Sequence, residues 1–158
     1  MIHVLFVCLG NICRSPLAEG IFLHKVKASG LEDHIRVDSC GTGGWHAGEL
    51  ADPRSREVAQ KHGVTLPSRA RKLRQSDFEE FDIILAMDRS NLRDLKAEAR
   101  FAGKEHQGIY LMRDFDPEGK GEEVPDPYFG GAKGFDLVYE MLDRSTSELL
   151  TFIKNQLK

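Results

Sequence analysis

The hydrophobic pattern of the chain switches repeatedly between a continuous run and a helical spacing. Ile2 to Cys8 is almost unbroken apolar sequence, as expected of a strand buried on both faces of a parallel sheet. The Gly10-Asn11 turn follows, and Pro16 stands where a first helical turn should begin. Leu17, Ile21, Phe22 and Val26 then recur at helical spacing, and Gly30 is placed to end that helix. Ile35 to Ser39 reads as a second strand leading into a turn-rich segment from Gly41 to Gly48. Pro53 to His62 predicts a helix with Val58 and Ala59 inward and Gly63 as its stop. Phe81 to Met87 predicts a third strand, with Asp88 as N-cap of a helix reaching about Lys96. Ile109 to Met112 is a short fourth strand. Arg113 to Gly131 holds three of the six prolines and is expected to be irregular. A last helix runs from about Ala132 to Asn155, with Phe135, Val138, Leu142, Leu149 and Phe152 on one stripe.

Strands alternating with helices predict an α/β three-layer sandwich: a four-stranded parallel sheet with helices on both faces and right-handed crossovers. The 158 residues suit a single domain over 1–158. In such folds a ligand binds beyond the carboxyl ends of the strands, and Cys8 falls at the end of the first.

Composition narrows the function classes. With 41% hydrophobic and 30% charged residues this is ordinary globular sequence, and Val4 to Leu9 is too short to span a bilayer. No basic leader with a small-residue cleavage site is seen, so the expectation is a cytoplasmic protein without membrane association, monomeric by default. The net charge of -3 and the lack of a broad basic surface argue against nucleic-acid binding. Arg69, Arg71, Lys72 and Arg74 form the densest basic stretch, read as a solvated edge in preference to an attractor of acidic substrate. Three cysteines, Cys8, Cys13 and Cys40, do not make a disulfide scaffold, and six scattered histidines do not make a zinc site. No metal and no cofactor are expected.

The chemistry concentrates in Cys8-Leu9-Gly10-Asn11-Ile12-Cys13-Arg14-Ser15-Pro16. A loop between a buried strand and a helix turns several backbone N–H groups toward one point, and the helix adds its unpaired amides and positive dipole end. That is a cradle for a tetrahedral dianion. Gly10 permits the tight turn, and Asn11 is the non-glycine residue most tolerant of positive φ. The positive surroundings favour Cys8 as a thiolate nucleophile, to which Ser15 can donate a hydrogen bond. Arg14 offers a planar fork matched to two phosphoryl oxygens. Nucleophile, cradle and clamp are the parts that phosphoryl transfer to a thiol requires. Cys13 is either core filler or a resolving thiol that captures oxidised Cys8, and the second reading is preferred.

A leaving oxygen departs more readily when protonated, so a carboxylic acid is needed on a second loop. Asp52, Asp116 and Asp126 each precede proline, a pairing that by itself signals only a turn. Asp126 stands out because Pro125 and Pro127 stiffen its loop and Tyr128 and Phe129 follow it; Asp116 is the fallback. Trp45 sits in a glycine-rich turn, not in a periodic element, which favours a pocket wall.

Cys-x5-Arg-Ser at the amino terminus resembles the phosphate-binding segment of the low-molecular-weight protein tyrosine phosphatases. Asp38-Ser39, Gly41-Thr42-Gly43-Gly44-Trp45-His46, Ala86-Met87-Asp88-Arg89-Ser90-Asn91 and Val124-Pro125-Asp126-Pro127-Tyr128-Phe129 also look like segments of that family. The resemblance implies Cys8 as nucleophile, Arg14 as clamp and Asp126 as general acid. It implies a phosphotyrosine slot walled by Trp45 and Tyr128 with Phe129 beside it, and tyrosine-phosphorylated proteins as substrates. It also implies a network of Asn11, Ser15 and Ser39 that holds the loop in shape. The chain departs from the pattern at Ser68, where histidine is frequent, and at Phe129, where a second tyrosine is frequent. Cys40 replaces an alanine-like residue and is read as packing.

Two rival readings are weaker. An arsenate reductase of this type would need further cysteines late in the chain, and none follows Cys40. A non-catalytic phosphotyrosine-binding module would be signalled by loss of nucleophile, clamp or acid, and all three are present. The Gly41–Gly44 turn is not a dinucleotide loop, and no Walker-type lysine occurs.

Overall fold

The computed structural model describes every residue except Gly130, and the side chains of Phe129 and Ala132 also lie outside the described part. Strand β1 (Ile2–Cys8) is central because nearly every one of its side chains is apolar and finds cover. It pairs in parallel with β2 (Ile35–Gly41) on one side and β3 (Ile83–Ala86) on the other, and β4 (Ile109–Leu111) completes the sheet in the order β2-β1-β3-β4. The register sets Cys8 beside Gly41 and Val7 beside Ala86, so the carboxyl ends of the three strands are nearly level.

Side-chain alternation divides the core. Val4, Phe6 and Cys8 pack with Leu17, Ile21 and Phe22 of α1 (Arg14–Ala28) and with the apolar stripe of α5 (Gly131–Leu157). On the same side lies α2 (Pro53–Lys61), through Val58 and Ala59. Leu5 and Val7 pack on the opposite face with Phe78 of the short α3 (Asp77–Glu80) and with Leu95 and Ala99 of α4 (Arg89–Phe101). Each fully buried Val, Leu, Ile or Phe among these contributes about 1.5–3 kcal/mol. The expected three-layer sandwich is therefore what forms.

Several boundaries differ from the pattern-based expectation. Helix α1 opens at Arg14, two residues before Pro16, and its N-cap Cys13 makes no side-chain capping bond. The first turn is thus left with unpaired amides at the site end. Strand β2 continues past Ser39 to Gly41, where a bridge to Lys72 extends the pairing. Strand β3 is shorter than Phe81–Met87, because Phe81 closes the unexpected helix α3. Helix α4 runs past Lys96 to Phe101, since Ala99 is buried and only Gly103, at φ 70, breaks it. Strand β4 ends at Leu111, and Met112 begins a turn of 3₁₀ helix to Phe115. On α5 the buried stripe continues through Ile153; Phe152 is half-buried, edge-on to Tyr110.

Candidate active site

The loop from β1 to α1 is shaped by the removal of its carbonyls. Thr42 and Gly43 amides donate to the carbonyls of Cys8 and Leu9, both at 2.9 Å. The Asp52 amide takes the Ile12 carbonyl at 2.7 Å, and Ser55 Oγ takes that of Cys13 at 3.2 Å. Among the described residues no acceptor pairs with the amides of Leu9 to Cys13. A loop with four of its carbonyls, those of Cys8, Leu9, Ile12 and Cys13, engaged from outside and its amides left without partners is built to receive an anion. Gly41 lets β2 approach this closely, for a Cβ there would lie 2.6 Å from the Leu9 carbonyl.

Asn11 is the one non-glycine residue at positive φ among the described residues, at 57°. Its side chain offsets the strain of about 1 kcal/mol or more by bonding fully. Nδ2 donates to Ser15 Oγ at 2.7 Å and to Ser39 Oγ at 3.0 Å, while Oδ1 accepts from the Arg71 amide at 3.0 Å. Because Ser15 Oγ accepts from Asn11, its own hydrogen is available to Cys8 Sγ, 2.9 Å away; the Cys40 carbonyl is the longer alternative at 3.4 Å. The expected trio of Asn11, Ser15 and Ser39 is thus brought together.

Arg14 is buried at 3% exposure beneath the same loop. Its Nη1 donates to Asp88 Oδ2 at 2.7 Å and to the Val124 carbonyl at 2.9 Å. Its Nη2 lies 3.9 Å from Asp126 Oδ2. Burial works against the guanidinium charge, yet Cys8 and Asp88 outweigh it and hold the group cationic. Cys8, Leu9, Gly10, Ile12, Cys13, Arg14, Trp45, His46, Asp126 and Tyr128 line one cavity of about 220 Å³.

The three Asp-Pro pairs separate by environment. Asp52 caps α2, its Oδ1 accepting from the Arg54 amide at 2.8 Å. Asp116, the fallback acid, is fully buried and held by Arg113, by Arg144 and by the Glu118 amide, so it is an internal ion-pair hub away from the cavity. Asp126 alone lines the cavity, with Oδ1 accepting from the Tyr128 amide at 3.0 Å.

The family model described as low molecular weight phosphotyrosine protein phosphatase matches residues 3–158. The chain belongs to that family. A Schizosaccharomyces pombe low molecular weight phosphotyrosine protein phosphatase is 46% identical over 150 residues, 94% of this chain and 95% of that protein. The crystal structure of YfkJ from Bacillus subtilis is 38% identical with TM-score 0.93, covering 100% of this chain and 98% of its own. A Drosophila arginine phosphatase structure is 35% identical with TM-score 0.89, covering 96% and 97%.

Trp45 and Tyr128 both line the cavity, at 72% and 41% exposure. Phe129, the third expected wall, has a side chain outside the described residues. Ser68, where the family often has histidine, completes the loop network differently: its Oγ donates to Glu19 Oε1 at 2.7 Å. Ser39 Oγ donates to the same oxygen at 2.5 Å. Burial pushes the Glu19 carboxyl up, against these two hydrogen bonds. Cys40 is fully buried, consistent with packing. Cys13 is also buried, and its thiol is pushed up to about 12 by desolvation and by the nearby Asp52, Cys8 and Asp126.

Sequence reasoning missed four contributors. Glu19 was readable in principle, because Asn11, Ser15 and Glu19 follow one another at four-residue spacing on an otherwise apolar face. The local pattern marks Asp88 only as a cap, yet its second oxygen holds Arg14. The basic stretch read as a solvated edge contains Arg71, which bridges Asp38 and Asp77 while its amide fixes Asn11. His46 lines the cavity and pairs with Glu49 at 2.7 Å. The described residues hold no cluster of three or more His, Cys, Asp or Glu arranged to bind a metal.

Proposed function

We propose that the protein hydrolyses phosphotyrosine in proteins, and small aryl phosphates, through a phosphocysteine intermediate. One observation carries the reading: a nucleophile with its hydroxyl donor, a buried arginine and a loop carboxylate line a single cavity with two aromatic walls. The loop amides and Arg14 receive the three non-bridging oxygens, neutralising the charge that spreads over them in the transition state. Cys8 Sγ forms a bond to phosphorus as the bond from phosphorus to the tyrosine oxygen breaks. Asp126 gives its proton to that oxygen, and neutral tyrosine leaves. Asp126 then takes a proton from water, whose oxygen bonds to phosphorus as the S–P bond breaks. Phosphate leaves, Cys8 returns as thiolate hydrogen-bonded by Ser15, and Asp126 is again protonated.

Cys13 is read as the resolving thiol: after a peroxide has converted Cys8 to its sulfenic acid, Cys13 sulfur bonds to Cys8 sulfur and water departs. Its elevated pKa keeps it a neutral thiol in the resting enzyme.

The test is hydrolysis of p-nitrophenyl phosphate and a phosphotyrosine peptide in chelator, with Cys8→Ser and Asp126→Ala alongside. Cys8→Ser should abolish turnover, and Asp126→Ala should lower phosphotyrosine turnover by about a hundredfold or more. An inactive, fully reduced native protein would sink the enzymatic reading. Preference for phosphoarginine over phosphotyrosine would overturn the substrate assignment.

A further inference from the structure

Arg54 performs no step in that mechanism, yet its side chain engages both the N-cap of α2 and Tyr128, a wall of the cavity. It sits in the first turn of α2, and Nε and Nη2 hold the Asp52 carboxylate at 3.1 and 3.0 Å. Its Nη1 crosses to the acid loop and donates to the Tyr128 carbonyl at 3.0 Å. The guanidinium carbon stands 5.3 Å from the centre of the Tyr128 ring and 4.7 Å from that of Phe135 on α5, within cation–π range of both.

Tyr128 is therefore gripped on several sides. Its amide donates to Asp126 Oδ1, its carbonyl accepts from Arg54, and its ring lies under the same guanidinium. With Oδ1 tied to the Tyr128 amide, Asp126 presents Oδ2, the oxygen nearer Arg14, to the cavity. The neighbours of Arg54 on α2 hold the other half of the site: the Asp52 amide takes the Ile12 carbonyl, and Ser55 Oγ takes the Cys13 carbonyl. The amino end of α2 thus joins the phosphate loop to the acid loop, which are more than a hundred residues apart in sequence.

We propose that Arg54 is a positioning residue for the general acid, acting through Tyr128 to set Asp126 against the leaving oxygen bound over Cys8. The inference rests on the reading of Asp126 as that acid. A bland alternative is that Arg54, at 38% side-chain exposure, merely pairs with its N-cap. The two differ in what they predict for substrates. Loss of acid positioning harms a poor leaving group, which must be protonated, far more than a good one. Loss of general stability harms both alike.

The experiment compares kcat/KM for phenyl phosphate and p-nitrophenyl phosphate in the native protein, Arg54→Met, Arg54→Lys, Asp126→Ala and the Arg54→Met/Asp126→Ala pair. Arg54→Met keeps an apolar stem beside Phe135 and removes every donor. It should lower the phenyl phosphate value about tenfold and the nitrophenyl value about twofold at most, since small misplacements of a catalytic group are costly. Arg54→Lys, which retains one donor for the Tyr128 carbonyl, should fall between. In the Asp126→Ala background, Arg54→Met should cause no further loss on either substrate. Equal losses on both substrates, or an additive double variant, would overturn the proposal. Asp126→Ala without any bias toward the good leaving group would instead overturn the general-acid reading beneath it. Should Arg54→Met fail to fold by circular dichroism, Arg54→Lys carries the same comparison.

Discussion

Asp88 holds two unrelated structures with two oxygens, and substitution can separate them. Oδ1 accepts from the Asn91 amide at 2.8 Å and caps α4, while Oδ2 accepts from Arg14 Nη1 at 2.7 Å. Arg14 is 3% exposed and Asp88 22%, so solvent screens the pair little. Asp88→Ala removes a cap, about 1 kcal/mol. It also strips a buried guanidinium of its hydrogen-bonded anionic partner, about 3 kcal/mol at the low end of such losses because the Val124 carbonyl and, at 3.9 Å, Asp126 remain. The total of about 4 kcal/mol lowers Tm by roughly 10 °C in a chain of this size. Asp88→Asn keeps an oxygen for the Asn91 amide but turns an NH2 toward Arg14, losing both the charge and the acceptor there, so it should cost about 3 kcal/mol. Both variants release Arg14 from its aim and should lower kcat/KM for p-nitrophenyl phosphate about tenfold. Thermal unfolding by circular dichroism and steady-state kinetics read the two effects separately. If Asp88→Ala costs only the cap and keeps its kcat/KM, Arg14 is positioned by other groups and the argument fails.

Asp116→Asn should destabilise the fold by about 3 kcal/mol, because Arg113 and Arg144 lose a buried common partner, with kcat/KM changed less than about twofold. Burial tends to raise the Asp116 pKa, but the bonds from Arg144, the Glu118 amide and Arg113 outweigh it and lower the value. Its contribution is thus present above the ordinary aspartate pKa and is lost as pH falls. Acid unfolding followed by circular dichroism should begin at higher pH in Asp116→Asn if other carboxylates remain unchanged, and coincident curves would contradict this assignment. For Cys13, the folded thiol titrates at about 12 against an ordinary 9.0, so the folded state retains a proton that the unfolded chain releases. That contribution is intact below the ordinary value and declines as pH rises from there toward about 12. Iodoacetamide near neutral pH should label Cys8, the nucleophile, well before Cys13, whose thiol stays protonated; equal labelling of both in the folded protein would refute that reading of Cys13.

What the chain by itself determined was everything carried by short spacing. The run Ile2–Cys8 can only be satisfied by cover on two faces, and a loop of seven residues from Cys8 to Arg14 at its end brings nucleophile, turn residues and clamp together on any α/β sheet. Where local pattern underestimated length, as in α4, a buried Ala99 supplied packing that propensity alone does not register. Tertiary structure decided what no local window contains. The partners of Arg14 stand 74 and 110 residues away in Asp88 and Val124. Three aspartates with the same following proline became a helix cap, a buried ion-pair hub and a cavity carboxylate according to which arginines and amides surround them. Glu19, Arg54 and Arg71 acquire their roles in the same way, because a charged side chain's function depends on the groups that chain topology brings within hydrogen-bonding distance.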